Sequence, residues 1–404
     1  MRTRYGLSPW TLDVPASRAP LHPRLRGDRT ADVVVIGAGM TGCAVAYACA
    51  VAGLDTLVLD ADRVGLGATS RGTGLLASEP GPSFRELASA HGVRDARRVF
   101  EAWRLGANQG ATLLRRLRIA CQFEARETLS VLRGDGERDL RREHAAREAA
   151  GLASAWQTPK QLGARMKLEA SGGVTLGDGF VLDPYRACLG LATAAARKGA
   201  IFCERSPVTK VRFTRTDTDV VCARGTVRAG TVVVTTGSAT AAFPALQRHF
   251  TRRETYLTMT APVPPAMRKA LGDRTVVLVE AGAGARCLRW APGDRLLVAG
   301  ADQDETSVKA RPAALVQRTG QLMYELLKTY PAISGLQPEY GWEASYGRTA
   351  DGLMYIGAHR NYPRHLFALG GSDSVTGAFV ASRILLRALT GASDKADDVF
   401  GWTR

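Results

Sequence analysis

The 404-residue chain lacks the features that would place it in several common protein classes. No stretch approaches the roughly 18 to 20 consecutive apolar residues that a membrane-spanning helix needs. Residues 1–29 contain scattered Pro, Arg and Asp but no apolar run, which argues against a secretory signal. The seven cysteines are dispersed and odd in number, and no C-x-x-C pair suggests a zinc or dithiol site. We therefore expect buried thiols, no metal centre and a reducing compartment, the cytoplasm.

What the chain has in excess is positive charge. Its formal net charge is +16, with arginine strongly preferred to lysine. Such a balance can indicate a nucleic-acid partner. However, the densest runs, residues 115–118 and 138–142, interleave arginines with apolar residues at helical spacing, as solvated helix faces do. We therefore do not predict a nucleic-acid partner, and a basic surface suits an anionic cofactor or substrate equally well.

The most informative segment is the junction between four apolar residues and the glycines that follow them. Residues 33–36, three valines and an isoleucine, predict a buried parallel strand. Gly37, Gly39 and Gly42 have the G-x-G-x-x-G spacing of a dinucleotide-binding turn, and the free N–H groups of the next helix would face a pyrophosphate. Taken alone, this spacing is weak evidence, because glycine-rich turns are common.

The residues after this turn strengthen the prediction. A second apolar strand, residues 56–59, ends in Asp60, close to the roughly 20 positions after the third glycine at which a carboxylate accepts ribose hydroxyls. An acid at this place favours an unphosphorylated ribose and argues against NADP. A β-turn-α unit that binds nothing is the alternative, and the complete order of strand, glycines, helix, strand and acid disfavours it.

The chain is too long for one ordinary core, and we expect two domains. The nucleotide-binding domain is predicted from three segments, residues 1–80, 170–240 and 335–404, of which residues 1–29 form an N-terminal arm. A substrate or cap domain is predicted from residues 81–169 and 241–334.

Within the cap domain, hydrophobic periodicity predicts both helices and strands. One helical region is expected from about residue 83 to 117, and a charged, Ala-rich helix from 137 to 151. Two apolar segments, residues 119–123 and 128–132, are interpreted as strands.

With these residues in view, the chain resembles the FAD-dependent D-amino-acid oxidase superfamily. Its nearest branches look like the glycine and sarcosine oxidases and the γ-glutamylputrescine oxidoreductase group. The first glycine motif would admit any Rossmann flavoprotein, whereas the ordered set of motifs is specific. The matching segments are 9–10, 37–42, 60–61, 67–74, 182–184, 207–208, 232–237, 342 with 349–352 and 356–357, and 370–371 with 391.

The resemblance implies an α/β fold, in which a discontinuous Rossmann-like FAD-binding domain carries an inserted α+β substrate domain built on an antiparallel sheet. It also implies non-covalent FAD, because Ala344 stands where one branch attaches the flavin to Cys, and residues 67–74 contain no His for the other route. The implied cofactor-binding residues are Gly37, Gly39, Met40, Thr41, Gly42, Asp60, Ala61, Thr69, Ser70, Arg71, Thr73, Gly74, Val208, Gly237, Gly371, Ser372, Asp373, Ser374 and Thr376.

By the same resemblance, these residues divide along the cofactor. The first glycine turn would hold the pyrophosphate, Asp60 the ribose, and the main chain of Val208 the adenine. Residues 69–74 would line the pyrophosphate, the ribityl chain and the isoalloxazine. The turn at 371–376 would place N–H groups and a helix N-terminus at the flavin N1 and O2.

The implied chemistry is that of the flavin. Hydride passes from the carbon that bears nitrogen, in an amine or amino acid, to flavin N5, and the resulting imine is hydrolysed by water. Oxygen or another acceptor then reoxidises the flavin. A dedicated base is not required when the amine binds in its neutral form, and His249, His359 and His365 are interpreted as structural or surface residues.

The chain departs from this family pattern where the substrate would bind. Tyr346 stands at the place of an arginine that grips the substrate carboxylate in the glycine-oxidase branch. Arg289 is the best remaining candidate for binding an anionic group, with a strand-edge surface arginine as the alternative, and Arg348 is a weaker one. Val298 appears at the place of the lysine that helps oxidases activate oxygen, and Asp373 with Ser374 replaces the usual Asn-Gly.

These departures leave more than one function open. The first hypothesis is an amine or amino-acid oxidoreductase whose catalytic residues are Arg289, Tyr346 and Arg348. The alternative is a catalytically degenerate flavoprotein that acts as a subunit or binding module. A third hypothesis, a relative of the tRNA-modifying flavoproteins, would use the basic charge, but no RNA-binding appendage is visible in the sequence.

Overall fold

The computed structural model describes residues 2–15, 17, 19–132, 136–214, 216–280, 287–371 and 375–404. The strands are β1 (Arg4–Tyr5), β2 (Arg29–Ile36), β3 (Thr56–Leu59), β4 (Leu75–Leu76), β5 (Glu124–Leu132), β6 (Ala155–Gln157), β7 (Gly172–Val181), β8 (Ile201–Cys203), β9 (Val208–Phe213), β10 (Thr218–Cys222), β11 (Gly225–Gly237), β12 (Thr251–Thr260), β13 (Val276–Glu280), β14 (Cys287–Ala291), β15 (Arg295–Asp304), β16 (Pro338–Arg348), β17 (Tyr355–His359) and β18 (Tyr362–Leu369). The helices are α1 (Pro9–Leu12), α2 (Met40–Val51), α3 (Phe84–His91), α4 (Val93–Arg116), α5 (Glu137–Ala149), α6 (Pro159–Met166), α7 (Pro184–Arg197), α8 (Pro265–Arg268), α9 (Arg311–Thr329) and α10 (Val375–Leu389). Short 3₁₀ helices lie at Ala68–Arg71, Pro244–His249, Pro331–Ile333 and Lys395–Phe400.

Within the described residues, eight of these strands form one sheet, called here the nucleotide sheet. Its order is β17-β18-β11-β2-β3-β8, with β10 and β9 attached to β11. From β18 to β8 all neighbours are parallel, which is why β2 reads as a continuous apolar run rather than an alternating one. The predicted Rossmann-like domain is confirmed, and the ends of β2 and β3 meet at one edge of its sheet.

A second sheet of ten strands, called here the cap sheet, carries the predicted antiparallel substrate domain. Its order among the described residues is β1-β16-β12-β15-β14-β13-β5-β7-β4, with β6 paired to β7. Most neighbours are antiparallel, whereas β1 with β16 and β5 with β13 are parallel pairs. The cap sheet includes β1, β4, β7 and β16, although the sequence placed residues 1–80, 170–240 and 335–404 in the nucleotide-binding domain. Sheet pairing thus puts these four strands with the cap, and the domain boundaries themselves remain a prediction.

The two faces of the cap sheet bury different cores. Leu257, Ala299, Trp342 and Ala344 share a core cluster with residues of α2 and α10, and we call this side the inner face. Tyr256 and Val298 pack in another cluster with Leu315 and Leu322 of α9, on the outer face. Because alternate residues of a strand lie on opposite faces, this assignment extends along β12 and β16.

Two local predictions in the cap domain are corrected by backbone geometry. The helical region from 83 to 117 is two helices, because Gly92 has a φ of +84° between α3 and α4. Residues 119–123 are not a strand, and β5 begins at Glu124. Arg118 and Gln122, each with a φ of +53°, interrupt the extended backbone there, and the N–H of Ile119 bonds to Leu114 to close α4. The predicted strand at 128–132 lies within β5, and the predicted helix at 137–151 corresponds to α5, which ends at Ala149.

No described helix is both long and apolar enough to cross a membrane. All seven cysteines are free, and six of them are buried, as the sequence predicts for thiols.

Candidate active site

The glycine turn that follows β2 tolerates no side chain at two of its positions. A Cβ atom on Gly42 would collide with the carbonyl oxygen of Gly37. Gly37 has a φ of +105°, and a Cβ there would lie 2.9 Å from the carbonyl oxygen of Thr235 on β11. The Thr235 hydroxyl in turn donates to the Gly37 carbonyl at 2.9 Å. Only glycine lets β2, β11 and the first turn of α2 approach this closely.

This turn leaves the N-terminus of α2 open to an anion. The Met40 N–H donates to Thr69 Oγ1 at 2.9 Å, which ties the turn to the loop predicted to line the flavin. Within the described residues, the N–H groups of Gly39, Thr41 and Gly42 have no acceptor. Unpaired N–H groups at the positive end of a helix suit a pyrophosphate, so the residues present fit the implied FAD.

Asp60 lies at the carboxyl end of β3, beside this turn. Its carboxylate accepts the N–H of Ala38 at 2.6 Å and that of Asp62 at 2.8 Å. Burial raises the pKa of Asp60, while these two backbone hydrogen bonds act in the opposite direction. The N–H of Ser206 donates to the Asp60 carbonyl at 2.7 Å, which places Val208 near the same edge of the sheet. Ala61, next to Asp60, is exposed.

Glu204 is a buried acid at this edge that the sequence analysis missed. It follows β8, is 4% exposed, and accepts the N–H of Val64 at 3.0 Å. Arg63 lies 3.7 Å from its other oxygen. The signal in the sequence was an acid directly after a predicted strand. That this strand, β8, pairs with β3 is known only from the tertiary structure.

Three consecutive carbonyl groups of the predicted flavin loop are each held by a large buried side chain. The Trp342 indole N–H donates to the Arg71 carbonyl at 2.9 Å, and that of Trp10 donates to the Gly72 carbonyl at 3.0 Å. Arg289 Nε donates to the Thr73 carbonyl at 2.9 Å. The three side chains come from β16, α1 and β14. We call residues 71–73 with these three donors the loop clamp.

The rest of this loop is equally constrained. Gly74 has a φ of +68°, and a Cβ there would collide with the Leu182 carbonyl. Ser70 is 2% exposed and donates to the Gly67 carbonyl at 3.2 Å. The Arg71 guanidinium is engaged by Glu343, through its carbonyl at 3.1 Å and its carboxylate at 3.2 Å.

A third predicted contact region lies between β18 and α10. The N–H of Gly370 donates to the Gly237 carbonyl at 2.8 Å, and the Thr376 hydroxyl donates to the Ala77 carbonyl at 2.6 Å. Gly371 has a φ of +93°, a conformation that favours glycine. Ser372, Asp373 and Ser374 lie outside the described residues.

The three predicted catalytic residues do not lie together. Arg289 is 3% exposed, and its guanidinium also donates to the Trp290 carbonyl at 3.2 Å. Arg289 sits on β14, which is separated from β16 by β15 and β12. Its hydrogen bond in the loop clamp accounts for its burial, so a bound substrate is not needed to explain it. Tyr346 and Arg348 share the inner face of β16, and the Tyr346 hydroxyl donates to Asp302 at 2.6 Å. Burial, followed by this hydrogen bond, raises the pKa of Tyr346, so the phenol stays neutral.

Val298, which the resemblance puts at the place of an oxygen-activating lysine, packs with α9 on the outer face of the cap sheet. Its inner-face neighbours on β15 are Leu297 and Ala299, both apolar and buried. The predicted structural histidine His365 is 1% exposed and lies 6.2 Å from the Phe367 ring, in a stacked arrangement.

The family model DAO, described as FAD dependent oxidoreductase, matches residues 32–387. The gamma-glutamylputrescine oxidoreductase of Escherichia coli (strain K12) is 24% identical over 382 residues, which cover 91% of this chain and 85% of that protein. Among solved structures, glycine oxidase from Geobacillus kaustophilus has a TM-score of 0.77 at 19% identity and covers 93% of this chain and 99% of its own. L-amino acid deaminase from Proteus myxofaciens has a TM-score of 0.78 at 15% identity, with 96% of both chains covered. The structures share the fold, and the chain belongs to the DAO family of FAD dependent oxidoreductases.

Proposed function

We propose that this protein uses FAD to oxidise a C–N bond of an amine or amino acid. The observation that carries the proposal is the loop clamp, which ties the predicted flavin loop to the inner face of the cap sheet through Trp342. Bound FAD would supply the hydride acceptor. The chain's own residues would hold the cofactor, position the substrate against it and exclude water.

The inner face of the cap sheet suits this role. Leu257, Ala299 and Ala344 form an apolar, buried surface on three adjacent strands. An apolar surface favours the neutral form of an amine, because burial disfavours a charged ammonium. Tyr346, held neutral, donates its O–H to Asp302 at the edge of this surface, and its oxygen can accept a hydrogen bond.

The names of similar proteins support nitrogen-bearing substrates. They include a gamma-glutamylputrescine oxidoreductase, glycine oxidases, an L-proline dehydrogenase and an iminodiacetate oxidase. An L-alpha-glycerophosphate oxidase from Mycoplasma pneumoniae shares the fold, with a TM-score of 0.72, so alcohol oxidation is the competing reaction. We infer a reducing compartment such as the cytoplasm from the seven free cysteines.

The test is anaerobic mixing of the FAD-loaded protein with amines, amino acids and alcohols, followed by the visible absorbance of the flavin. Bleaching by an amine and appearance of the imine-derived carbonyl product support C–N oxidation. Bleaching by alcohols alone would show C–O oxidation and contradict the proposed C–N oxidation. If no compound bleaches the flavin, the result favours the binding-module alternative. Admitting oxygen, or an artificial quinone, to the bleached protein then identifies the class of electron acceptor.

A further inference from the structure

Residues 349–354 form a turn between β16 and β17, and this turn packs against the predicted flavin contact region between β18 and α10. Met354 Cγ lies 2.6 Å from the position that a Cβ on Gly371 would occupy. Met354 Sδ lies 2.6 Å from the corresponding position on Gly377, in the first turn of α10. The two glycines therefore let the 349–354 turn lie directly against the backbone on either side of the start of α10.

One buried carboxylate holds the shape of this turn. Asp351 Oδ1 accepts the N–H of Leu353 at 3.0 Å and the hydroxyl of Thr349 at 3.2 Å. Its other oxygen lies 3.0 Å from Nε2 of His91, the last residue of α3. Because the Asp351 side chain is only 12% exposed, these contacts replace water around a charged group.

Arg404 supplies the positive charge beside this carboxylate. Its Nε donates to Asp351 Oδ2 at 2.7 Å, and its Nη2 donates to the Leu353 carbonyl at 2.8 Å. Its Nη1 donates to the Phe400 carbonyl at 2.7 Å, and the guanidinium lies 4.0 Å over the ring of Tyr355. Every nitrogen of the guanidinium is engaged, and the side chain is 5% exposed, so this planar group is fixed in one position.

The ion pair keeps Asp351 charged inside the protein. Burial acts to raise the pKa of Asp351, but the hydrogen bond and charge of Arg404 outweigh it and hold the pKa below its ordinary value. Without Arg404, an ionised carboxylate would stay buried with too little compensation, which is strongly unfavourable. Moving the turn towards water would relieve that cost, and it would also carry Met354 away from Gly371.

We propose that Arg404 is a positioning residue for the isoalloxazine half of bound FAD and acts through Asp351 on the 349–354 turn. The family supplies the cofactor, and the resemblance places the flavin N1 and O2 at the start of α10. The nucleotide half is assigned to residues 37–42 and 60, to which Arg404 has no hydrogen bond within the described residues. Loss of Arg404 should therefore weaken the hold on the flavin and spare the nucleotide, whichever bond the protein oxidises.

The test compares the binding of FAD with that of ADP, which carries only the nucleotide half of the cofactor. Dilution of the FAD-loaded protein, followed by flavin fluorescence, gives the dissociation constant for FAD, and displacement of FAD by ADP gives that for ADP. In Arg404→Met the FAD constant should rise about 3- to 30-fold, the range for residues that act on a site without contacting the ligand, whereas the ADP constant should change less than about twofold. Arg404→Lys restores the charge but not the planar set of donors, and should recover part of the FAD affinity.

The matched control is Arg387→Met. Arg387 pairs with Asp394 at 3.1 Å and with Asp397 at 3.0 Å, so it ties the segment that precedes Arg404 to α10. Within the described residues it has no hydrogen bond to the 349–354 turn, and its loss should leave both dissociation constants unchanged.

A double variant tests whether Arg404 acts through Asp351. Combining Arg404→Met with Asp351→Asn should raise the FAD constant by less than the product of the two single effects, because both changes remove the same contact. We would reject a positioning role if folded Arg404→Met kept its affinity for FAD, if FAD and ADP lost affinity equally, or if Arg387→Met lost as much as Arg404→Met. A lower unfolding temperature with unchanged constants would show that Arg404 is merely structural. If Arg404→Met does not fold, the same comparison with Arg404→Lys decides.

Discussion

At the scale of single residues, the nucleotide turn depends on space rather than on side-chain chemistry. The Gly42 position has no room for even a methyl group, since the Gly37 carbonyl occupies it. Gly320 on α9 is also helical, but a Cβ atom placed there would have nothing within 4 Å. The two glycines therefore differ in packing, although the sequence shows only the same residue type.

We predict that Gly42→Ala loses FAD, because relieving the collision moves the first turn of α2 away from the pyrophosphate position. Gly320→Ala should keep full FAD content and gain up to about 1 kcal/mol in the free energy of unfolding from its better helix propensity. Flavin content after purification and thermal unfolding measure both. Normal FAD content in Gly42→Ala would contradict the packing argument.

A second prediction at this scale concerns Asp183, the N-cap of α7. Its Oδ1 accepts the N–H groups of Tyr185 and Arg186, each at 3.0 Å, and burial raises its pKa to about 6. Because the folded pKa exceeds the unfolded value, the stability it contributes is complete below about pH 4 and is lost as the pH rises through 6. Asparagine keeps the cap without the charge.

We therefore expect Asp183→Asn to be more stable than the parent at pH 7, by at most about 3 kcal/mol, and the advantage to shrink towards pH 4. The ion pair with Arg186, at 3.2 Å, reduces this gain. Urea unfolding at both pH values with saturating FAD gives the difference directly. An advantage that does not depend on pH would show that the buried carboxylate is not its source.

At the scale of elements, the loop clamp joins three parts of the chain that are distant in sequence. Residues 71–73 expose three successive carbonyls, and β16, α1 and β14 each contribute one donor to them. Arg289 also lies 5.5 Å over the ring of Trp10, so two of the donors contact each other. A loop held in this way keeps its conformation whether or not a ligand is present.

We predict that Arg289→Met weakens FAD binding and destabilises the protein by about 1–3 kcal/mol, because the buried Thr73 carbonyl loses the charged Arg289 donor that fixes the loop. The matched control Arg360→Met removes an exposed arginine and should change stability by less than about 0.5 kcal/mol. Thermal unfolding with and without added FAD separates the two effects. If Arg289 bound substrate instead, the variant would keep its affinity for FAD and lose only substrate affinity.

At the scale of the whole molecule, a buried ion pair connects the inserted helix α5 to the segment after β4. Arg147 is 3% exposed and binds both oxygens of Glu79 at 2.7 and 2.6 Å, with Glu143 at 2.8 Å. Burial raises the pKa of Glu79, and Arg147 opposes that effect. The same segment continues from Ala77, whose carbonyl accepts the Thr376 hydroxyl beside the predicted flavin site.

Removing the cation alone, in Arg147→Met, should destabilise the protein by about 3–5 kcal/mol, because a buried carboxylate is left unpaired. Adding Glu79→Gln should recover part of that loss. Arg142→Met, on the exposed side of the same helix, is the control and should change stability little. Equal unfolding free energies for the single and double variants would contradict the charge argument.

The nucleotide-binding turn and its strands could be predicted from the sequence because their signals are local. The strand at 33–36, the glycine spacing and Asp60 act within one β-turn-α-β unit, and the structure places them at one sheet edge. The cap domain could not be predicted in the same way. Residues 119–123 looked like a strand on apolar content, and Val298 was placed by resemblance without knowledge of which face it occupies.

By itself, the sequence determined the glycine turn and the Rossmann-like sheet, because these depend on periodicity or spacing within a short segment. The family and the FAD cofactor followed from a resemblance carried by an ordered set of motifs along most of the chain. The tertiary structure decided that β7 and β16 pair in the cap sheet and that Val298 faces α9. It also placed Arg289 in the loop clamp and Arg348 beside Tyr346. Strand register and side-chain burial arise between segments far apart in sequence, and a one-residue shift reverses the face on which a side chain lies.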